Sequence, residues 1–229
     1  MAVLKAEHIG AVYTREGESF SPFSDISFSL EAGKIYDLIG SSGSGKSTLL
    51  RICALMLDRS FGKLYLDEKE SSQFLATTWR KNVSLVPQLS ALVPGTVKTN
   101  LLLPWRFKVR STENKPSDTI LLELLAKAGL DDIGLNRDVS QLSGGQVARV
   151  ALLRVFVTKP RVLLLDEVDA SLDDESAYAI GRLTKELVGN EIACLRIRHS
   201  SADGFADASF TLNKGVLDYQ AKLEEWAYK

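Results

Sequence analysis

The stretch Ile35-Tyr36-Asp37-Leu38-Ile39-Gly40-Ser41-Ser42-Gly43-Ser44-Gly45-Lys46-Ser47-Thr48 carries the information that decides the fold of this chain. Its first five residues are a short, mostly apolar run, and from Lys46 to Leu57 apolar residues return at helical spacing. Between them, Gly40 to Ser47 satisfies G-x4-G-K-[ST], the pattern of a phosphate-binding loop, in the strand-to-helix setting that the pattern requires. The residue types explain the chemistry. Glycines allow a turn that aims successive N–H groups inward, the helix start adds partial positive charge, and Lys46 brings a mobile cation to the terminal phosphates. Ser47 offers a hydroxyl to a magnesium ion, and Thr48 completes the nucleotide-binding segment.

Toward the N-terminus, residues 1 to about 39 show apolar alternation such as Ile26-Ser27-Phe28-Ser29-Leu30, with turns at Glu16-Gly17-Glu18 and Glu31-Ala32-Gly33. An antiparallel β subdomain is expected there, with a further contribution from about 61–66. Beyond the loop, a strand from Asn82 is stopped by Pro87, and prolines and glycines then break up Leu89 to Pro116, which reads as an insertion. An amphipathic helix is expected from Asp118 to Ala128, capped by Ser117 or Asp118 and ended by Gly129, and another from about Gln146 to Thr158. The uninterrupted Val162-Leu163-Leu164-Leu165 suits a parallel strand buried on both faces. A helix near Glu175–Val188 and a strand at Ile192–Ile197 continue the alternation. The expected fold is one α/β domain over residues 1–229: a P-loop NTPase core with a RecA-like parallel sheet, an N-terminal antiparallel β subdomain and a helical insert over about 89–158.

Asp166 and Glu167 follow that apolar strand, at the sheet end where ligands of open α/β sheets bind. Asp166 is placed to order a magnesium shell, and Glu167, one residue further out, to polarise an attacking water. Such a pair also serves as a helix cap, but beside a phosphate-binding loop it points to phosphoryl transfer from a nucleoside triphosphate to water. Leu142-Ser143-Gly144-Gly145-Gln146 precedes a helix as well, and its amides and the Ser143 hydroxyl suit a second anion that has no lysine of its own. Ser-Gly-Gly is equally a common capping sequence.

Taken together, these motifs resemble the ATP-binding cassette (ABC) ATPases, over nearly the entire chain. The resemblance implies that Leu142-Ser143-Gly144-Gly145-Gln146 closes over the γ-phosphate held by a partner's loop, so that two chains sandwich two ATP molecules with Mg2+. It implies further that Tyr13 stacks on adenine, that Gln88 links magnesium and the water to partner contacts, that His199 touches the γ-phosphate, and that Ser171-Leu172-Asp173 faces the opposite subunit. Magnesium would be held by Ser47, Gln88 and Asp166. The chain departs from the family where Val168-Asp169 follows the glutamate in place of Pro-Thr or Pro-Ser, where Ser200 follows His199 in place of aspartate, and where Val147-Ala148-Arg149 follows the signature.

With 28 Lys plus Arg against 29 Asp plus Glu the formal charge is −1, so no global field favours nucleic acid, and none is expected as a partner. A composition of 45% hydrophobic and 25% charged residues excludes disordered and fibrous classes. No apolar run reaches the roughly 18 residues of a membrane span, and the first residues do not read as a signal peptide. Cys53 and Cys194 sit in apolar surroundings and are expected as buried free thiols, which suits the cytoplasm. His8 and His199 lack zinc-type neighbours. A cassette without spans is expected to work with integral membrane permease subunits, from the cytoplasmic face of the inner membrane. Leu89, Leu92 and Val93 are candidates for a groove that takes a partner helix or for packing against the insert. Thr96-Val97, Asn100-Leu101 and Pro104-Trp105 resemble the small FetA-type ATPases associated with iron export; amino-acid, phosphate and lipoprotein systems, and the soluble cassette of iron–sulfur cluster assembly, are the alternatives.

Overall fold

The computed structural model describes residues 2–15, 18–88, 91–198 and 203–221. In chain order its elements are β1 (Ala2–Arg15), β2 (Glu18–Glu31), β3 (Ile35–Ile39), α1 (Lys46–Cys53), β4 (Phe61–Leu66), β5 (Lys69–Glu70), α2 (Ala76–Asn82), β6 (Val83–Val86), α3 (Val97–Leu101), α4 (Asp118–Lys127), α5 (Gly144–Phe156), β7 (Val162–Asp166), α6 (Asp174–Val188), β8 (Ala193–Ile197), β9 (Ala208–Asn213) and β10 (Val216–Ala221). Among the described residues these strands form a four-stranded antiparallel sheet, β2-β1-β4-β5, and a six-stranded sheet, β10-β9-β3-β8-β7-β6. The second sheet is parallel from β9 through β6 and antiparallel at β10.

The period of two explains how each strand is shared. In β2, Ile26, Phe28 and Leu30 are buried while Ser27 and Ser29 face water. In β7, Val162 and Leu164 enter the core between the two sheets, and Leu163 and Leu165 enter a second core beneath α3, α4, α5 and α6. Each fully buried leucine contributes about 2 kcal/mol, which is why an apolar run with no polar face is stable only here. β3 is also buried on both faces, with Tyr36 and Leu38 on one side and Ile35 and Asp37 on the other, so it belongs to the six-stranded sheet and not to the N-terminal β-layer.

Local chemistry sets the ends of the helices. α4 starts where the Ser117 hydroxyl accepts from Ile120 N–H, and its carboxyl end turns at Gly129 with φ of 61°. α1 stops at Cys53, four residues short of the apolar pattern, because Leu55 takes a left-handed φ of 53°. Both cysteines are buried, and burial pushes their thiols up to about 12, so neither is a thiolate at neutral pH. No helix among the described residues is long and apolar enough to cross a membrane.

Candidate functional site

The phosphate-binding loop runs from the end of β3 to the start of α1, wedged between the two sheets. Gly40 has φ of 152°, and a Cβ there would lie 2.2 Å from the carbonyl oxygen of Leu212 on β9. Gly45 has φ of 100°, and its Cβ would lie 2.8 Å from Pro22 Cβ on β2. Only glycine meets both demands at these positions. Ser41, Ser42 and Gly43 are exposed along the rim, Ser47 and Thr48 are half-buried, and Lys46 is buried. The Lys46 Nζ donates to the carbonyl oxygens of Gly40 and Ser41, both at 2.9 Å, so the ammonium is folded back onto the loop that it serves. Ser44 Oγ is buried without a hydrogen-bond partner among the described residues.

Two contacts tie this loop region to the strand ends beside it. The Ser47 hydroxyl donates to Asp166 Oδ1 at 2.8 Å, across 119 residues of sequence. Gln88, just beyond β6, donates from Nε2 to Glu167 Oε2 at 3.0 Å. A hydroxyl and a carboxylate side by side are hard oxygen donors, the set that a magnesium ion takes. Glu167 is a non-glycine residue at φ of 51°. A left-handed backbone at such a residue costs about 1–3 kcal/mol and persists only where its surroundings over-determine it.

The second glycine motif opens α5. Ser143 is its N-cap: Ser143 Oγ accepts from Gln146 N–H, and Gln146 Oε1 accepts from Ser143 N–H, a closed capping box. The Ser143 hydroxyl keeps its own proton to donate outward. Leu142 packs partly against the second core, and Ser143 and Gly144 are exposed, with nothing within 4 Å of a Cβ placed on Gly144. Gly145 is different: its Cβ would lie 2.6 Å from Ser176 Oγ in the first turn of α6. Asp173 caps that turn, accepting from the Ser176 N–H and hydroxyl at 2.9 and 3.0 Å, which hold its carboxyl below the ordinary range. Ser171 and Asp173 are exposed and Leu172 packs inward, so the Ser171–Asp173 turn and the start of α5 meet on one face of the same chain.

Other expected residues are placed less directly. Tyr13 packs partly against the core between the sheets, with its hydroxyl donating to the Asp58 carbonyl at 3.3 Å. His199 lies outside the described residues, as do Leu89 and Ser200. Leu92 packs partly against the second core, and Val93 exchanges hydrogen bonds with the buried Asn100 side chain at 2.8 and 2.9 Å. The residues of the Thr96–Trp105 stretch are therefore largely structural: Thr96 caps α3, Asn100 and Leu101 are fully buried, and the Trp105 indole donates to the Asn114 carbonyl at 3.2 Å. Sequence reasoning passed over Asp37, Arg196, Arg198 and Asp203, which form a buried charge cluster with Asp169. The available signal was Arg196-Ile197-Arg198, a charge at every second residue leaving a strand otherwise read as buried.

Comparison with known proteins agrees with this geometry. Residues 23–170 match the ABC transporter family. The chain is 34% identical over 205 residues to the "Probable iron export ATP-binding protein FetA" of Escherichia coli (strain K12), covering 89% of each chain. It is 35% identical over 192 residues to the "Lipoprotein-releasing system ATP-binding protein LolD" of Idiomarina loihiensis (strain ATCC BAA-735 / DSM 15497 / L2-TR), covering 81% of this chain and 82% of that one. Among solved structures, the ATP-binding cassette MJ0796, dimeric in a post-hydrolysis state and bound to ADP and Pi, superposes with a TM-score of 0.81 at 26% identity, covering 97% of this chain and 100% of that one. With its phosphate-binding loop, strand-end carboxylates and Ser143-capped helix α5 on an α/β fold, the chain belongs to the ABC transporter family as an ATPase cassette.

Proposed function

We propose that two copies of this chain sandwich two ATP molecules and drive separate membrane subunits from the cytoplasmic face of the inner membrane. The pair of contacts Ser47–Asp166 and Gln88–Glu167 supports this reading most directly, since oxygen donors and a carboxylate base beside a phosphate-binding loop are what ATP hydrolysis needs. Lys46 leaves the Gly40 and Ser41 carbonyls to donate to the terminal phosphates, and the loop amides orient them. Ser47 and Asp166, with Gln88, would hold magnesium, which when bound would supply charge neutralisation at those phosphates. Glu167 accepts a proton from water as the water oxygen bonds to the γ-phosphorus; the bond to the β-γ bridging oxygen breaks and ADP departs. Gln88 orients the Glu167 carboxylate, Tyr13 stacks on adenine and His199 contacts the γ-phosphate. Ser143, Gly144 and the amides at the start of α5 meet the γ-phosphate in the partner's loop, with Leu142, Gly145 and Gln146 shaping that helix start and Ser171–Asp173 beside it.

For cargo we infer iron or another metal ion, moved outward. The support is the relative named for iron export, which matches over 89% of both chains. The cassette itself does not touch cargo, and the lipoprotein-releasing relative is similarly alike. The test of the catalytic reading is Glu167→Gln. That variant is expected to bind ATP with wild-type affinity, to lose at least about a hundredfold in turnover, and to run as a dimer with ATP in light scattering. Turnover at the wild-type rate would remove Glu167 from the mechanism. ATPase stimulation by iron, measured with the membrane subunit co-expressed, tests the cargo, and stimulation by lipoprotein instead would overturn it.

A further inference from the structure

The face of β8 that looks into the second core carries Cys194 and Arg196, and Arg198 follows at the same period of two. The arginine side chains are 4% and 6% exposed. Guanidinium groups so placed need carboxylates, and three arrive from separate segments. Asp37 stands opposite Arg196 in the register between β3 and β8, with Arg196 Nε 2.5 Å from Asp37 Oδ1. Asp203, from the segment before β9, lies 2.7 Å from Arg196 Nη2 and also pairs with Arg198. Asp169, from the turn between β7 and α6, lies 3.0 Å from Arg198 Nε. The charges alternate along the whole path, Asp37, Arg196, Asp203, Arg198, Asp169, from the strand that feeds the phosphate loop to the turn that carries Glu167.

That turn is short and bonded to itself: Ala170 N–H donates to the Glu167 carbonyl and Leu172 N–H to the Asp169 carbonyl, both at 3.1 Å. Glu167, at its left-handed φ, therefore stands between two anchored carboxylates. On one side Asp166 accepts a hydrogen bond from Ser47, and on the other Asp169 is ion-paired with Arg198 of the arginine cluster. Gln88 reaches the Glu167 carboxylate, but it is an exposed loop residue and cannot hold the Glu167 backbone.

We propose that Asp169 is a positioning residue for Glu167: its ion pair with Arg198, backed by Asp203, Arg196 and Asp37, holds the 167–172 turn in the conformation that aims the Glu167 carboxylate at water. The proposal rests on Glu167 being the water-polarising group. Asp169→Asn keeps the shape and removes the charge, while Arg198 retains Asp203. Steady-state ATP turnover of the full chain, measured against ATP concentration with magnesium, is expected to show kcat reduced about tenfold with KM within about twofold, the kinetic consequence of losing that ion pair. A side chain that acts through Glu167 has nothing to act on once Glu167 is gone. In the Glu167→Gln background, Asp169→Asn should then cause no further loss. An equal loss in both backgrounds, no loss in either, or a shift confined to KM would overturn the positioning role and leave Glu167 standing. Wild-type turnover in Glu167→Gln alone would instead overturn the reading of Glu167, and this proposal with it. Asp169→Ser gives the same comparison with a smaller side chain. If circular dichroism shows that neither variant folds, the pair is structural and the proposal fails.

Discussion

Lys46→Ala tests the phosphate loop most directly, and its size follows from what the ammonium does in the ligand-free chain. Lys46 is 5% exposed, and its Nζ donates to two backbone carbonyls at 2.9 Å. Binding a nucleotide exchanges these neutral acceptors for anionic phosphate oxygens. Two charge-assisted bonds to phosphate are worth about 3–6 kcal/mol, and the ammonium already draws about half of that from the carbonyls, so the exchange nets about 1.5–3 kcal/mol. Removing the lysine should therefore weaken ATP binding by about 10- to 150-fold. Calorimetric titration of ATP with EDTA present isolates this contribution, because the Ser47 and Asp166 oxygens then hold no cation. The freed carbonyls belong to half-buried Gly40 and exposed Ser41, which water can reach, so folding stability should change by less than about 1 kcal/mol. A folded Lys46→Ala chain with a Kd within about threefold of wild type would refute the exchange of carbonyls for phosphate.

Two further tests separate folding from chemistry. Gly144→Ala places its Cβ in open space and should keep or raise the melting temperature, while turnover falls at least about tenfold if phosphate approaches those amides. Gly145→Ala drives a Cβ against Ser176 Oγ and should cost about 1–3 kcal/mol of stability whatever nucleotide does; unchanged turnover in folded Gly144→Ala would remove the second anion site. Burial pushes the Asp203 carboxyl up, but hydrogen bonds from Arg196 and the Phe205 N–H outweigh it and hold the group below the ordinary carboxylate range. A lowered folded value means stability that is fully present above the unfolded value and lost as pH falls through the folded one. Asp203→Asn, at a cost of about 3–5 kcal/mol near neutral pH, should flatten the fall of the urea midpoint below about pH 4; equal acid slopes in both proteins would exonerate Asp203.

What the sequence made legible was whatever a single local period or motif could carry. β7 is an uninterrupted apolar run because both its faces are buried, β3 is apolar but for Asp37, and the caps at Ser117 and Ser143 are chemistry within one turn. Strand β9 alternates as well, with Ala208, Phe210 and Leu212 buried and Lys214-Gly215 turning into a largely exposed β10, but it carries no motif that marks a site. The fate of Asp169 was not legible. Its partner Arg198 is far along the chain, and nothing local to Val168-Asp169 says whether the added carboxylate points to solvent or to a buried guanidinium. Pairing across distant segments is set by the register of β3, β7 and β8, which no single window of sequence contains.

The segment 167–176 joins the two halves of the chemistry. It begins at Glu167, passes through Asp169 in the buried arginine cluster, reaches Asp173 as the cap of α6, and ends at Ser176 against Gly145 of the second glycine motif. In the two-chain ATP sandwich proposed above, that motif would meet the partner's nucleotide while Glu167 would serve the chain's own. A shift of α5 toward phosphate would press Gly145 on Ser176, and Ser176 is bonded through Asp173 to a turn whose other end sets the Glu167 backbone. Packed contacts of this kind have little give, since a Cβ at Gly145 would already overlap the serine hydroxyl. The arginine cluster fixes the middle of the segment, so motion at the α5 end would reach Glu167 as a change in the turn and not as displacement of the whole loop. The departure from the family at Val168-Asp169 thus falls where the two ATP sites of a dimer would be coupled.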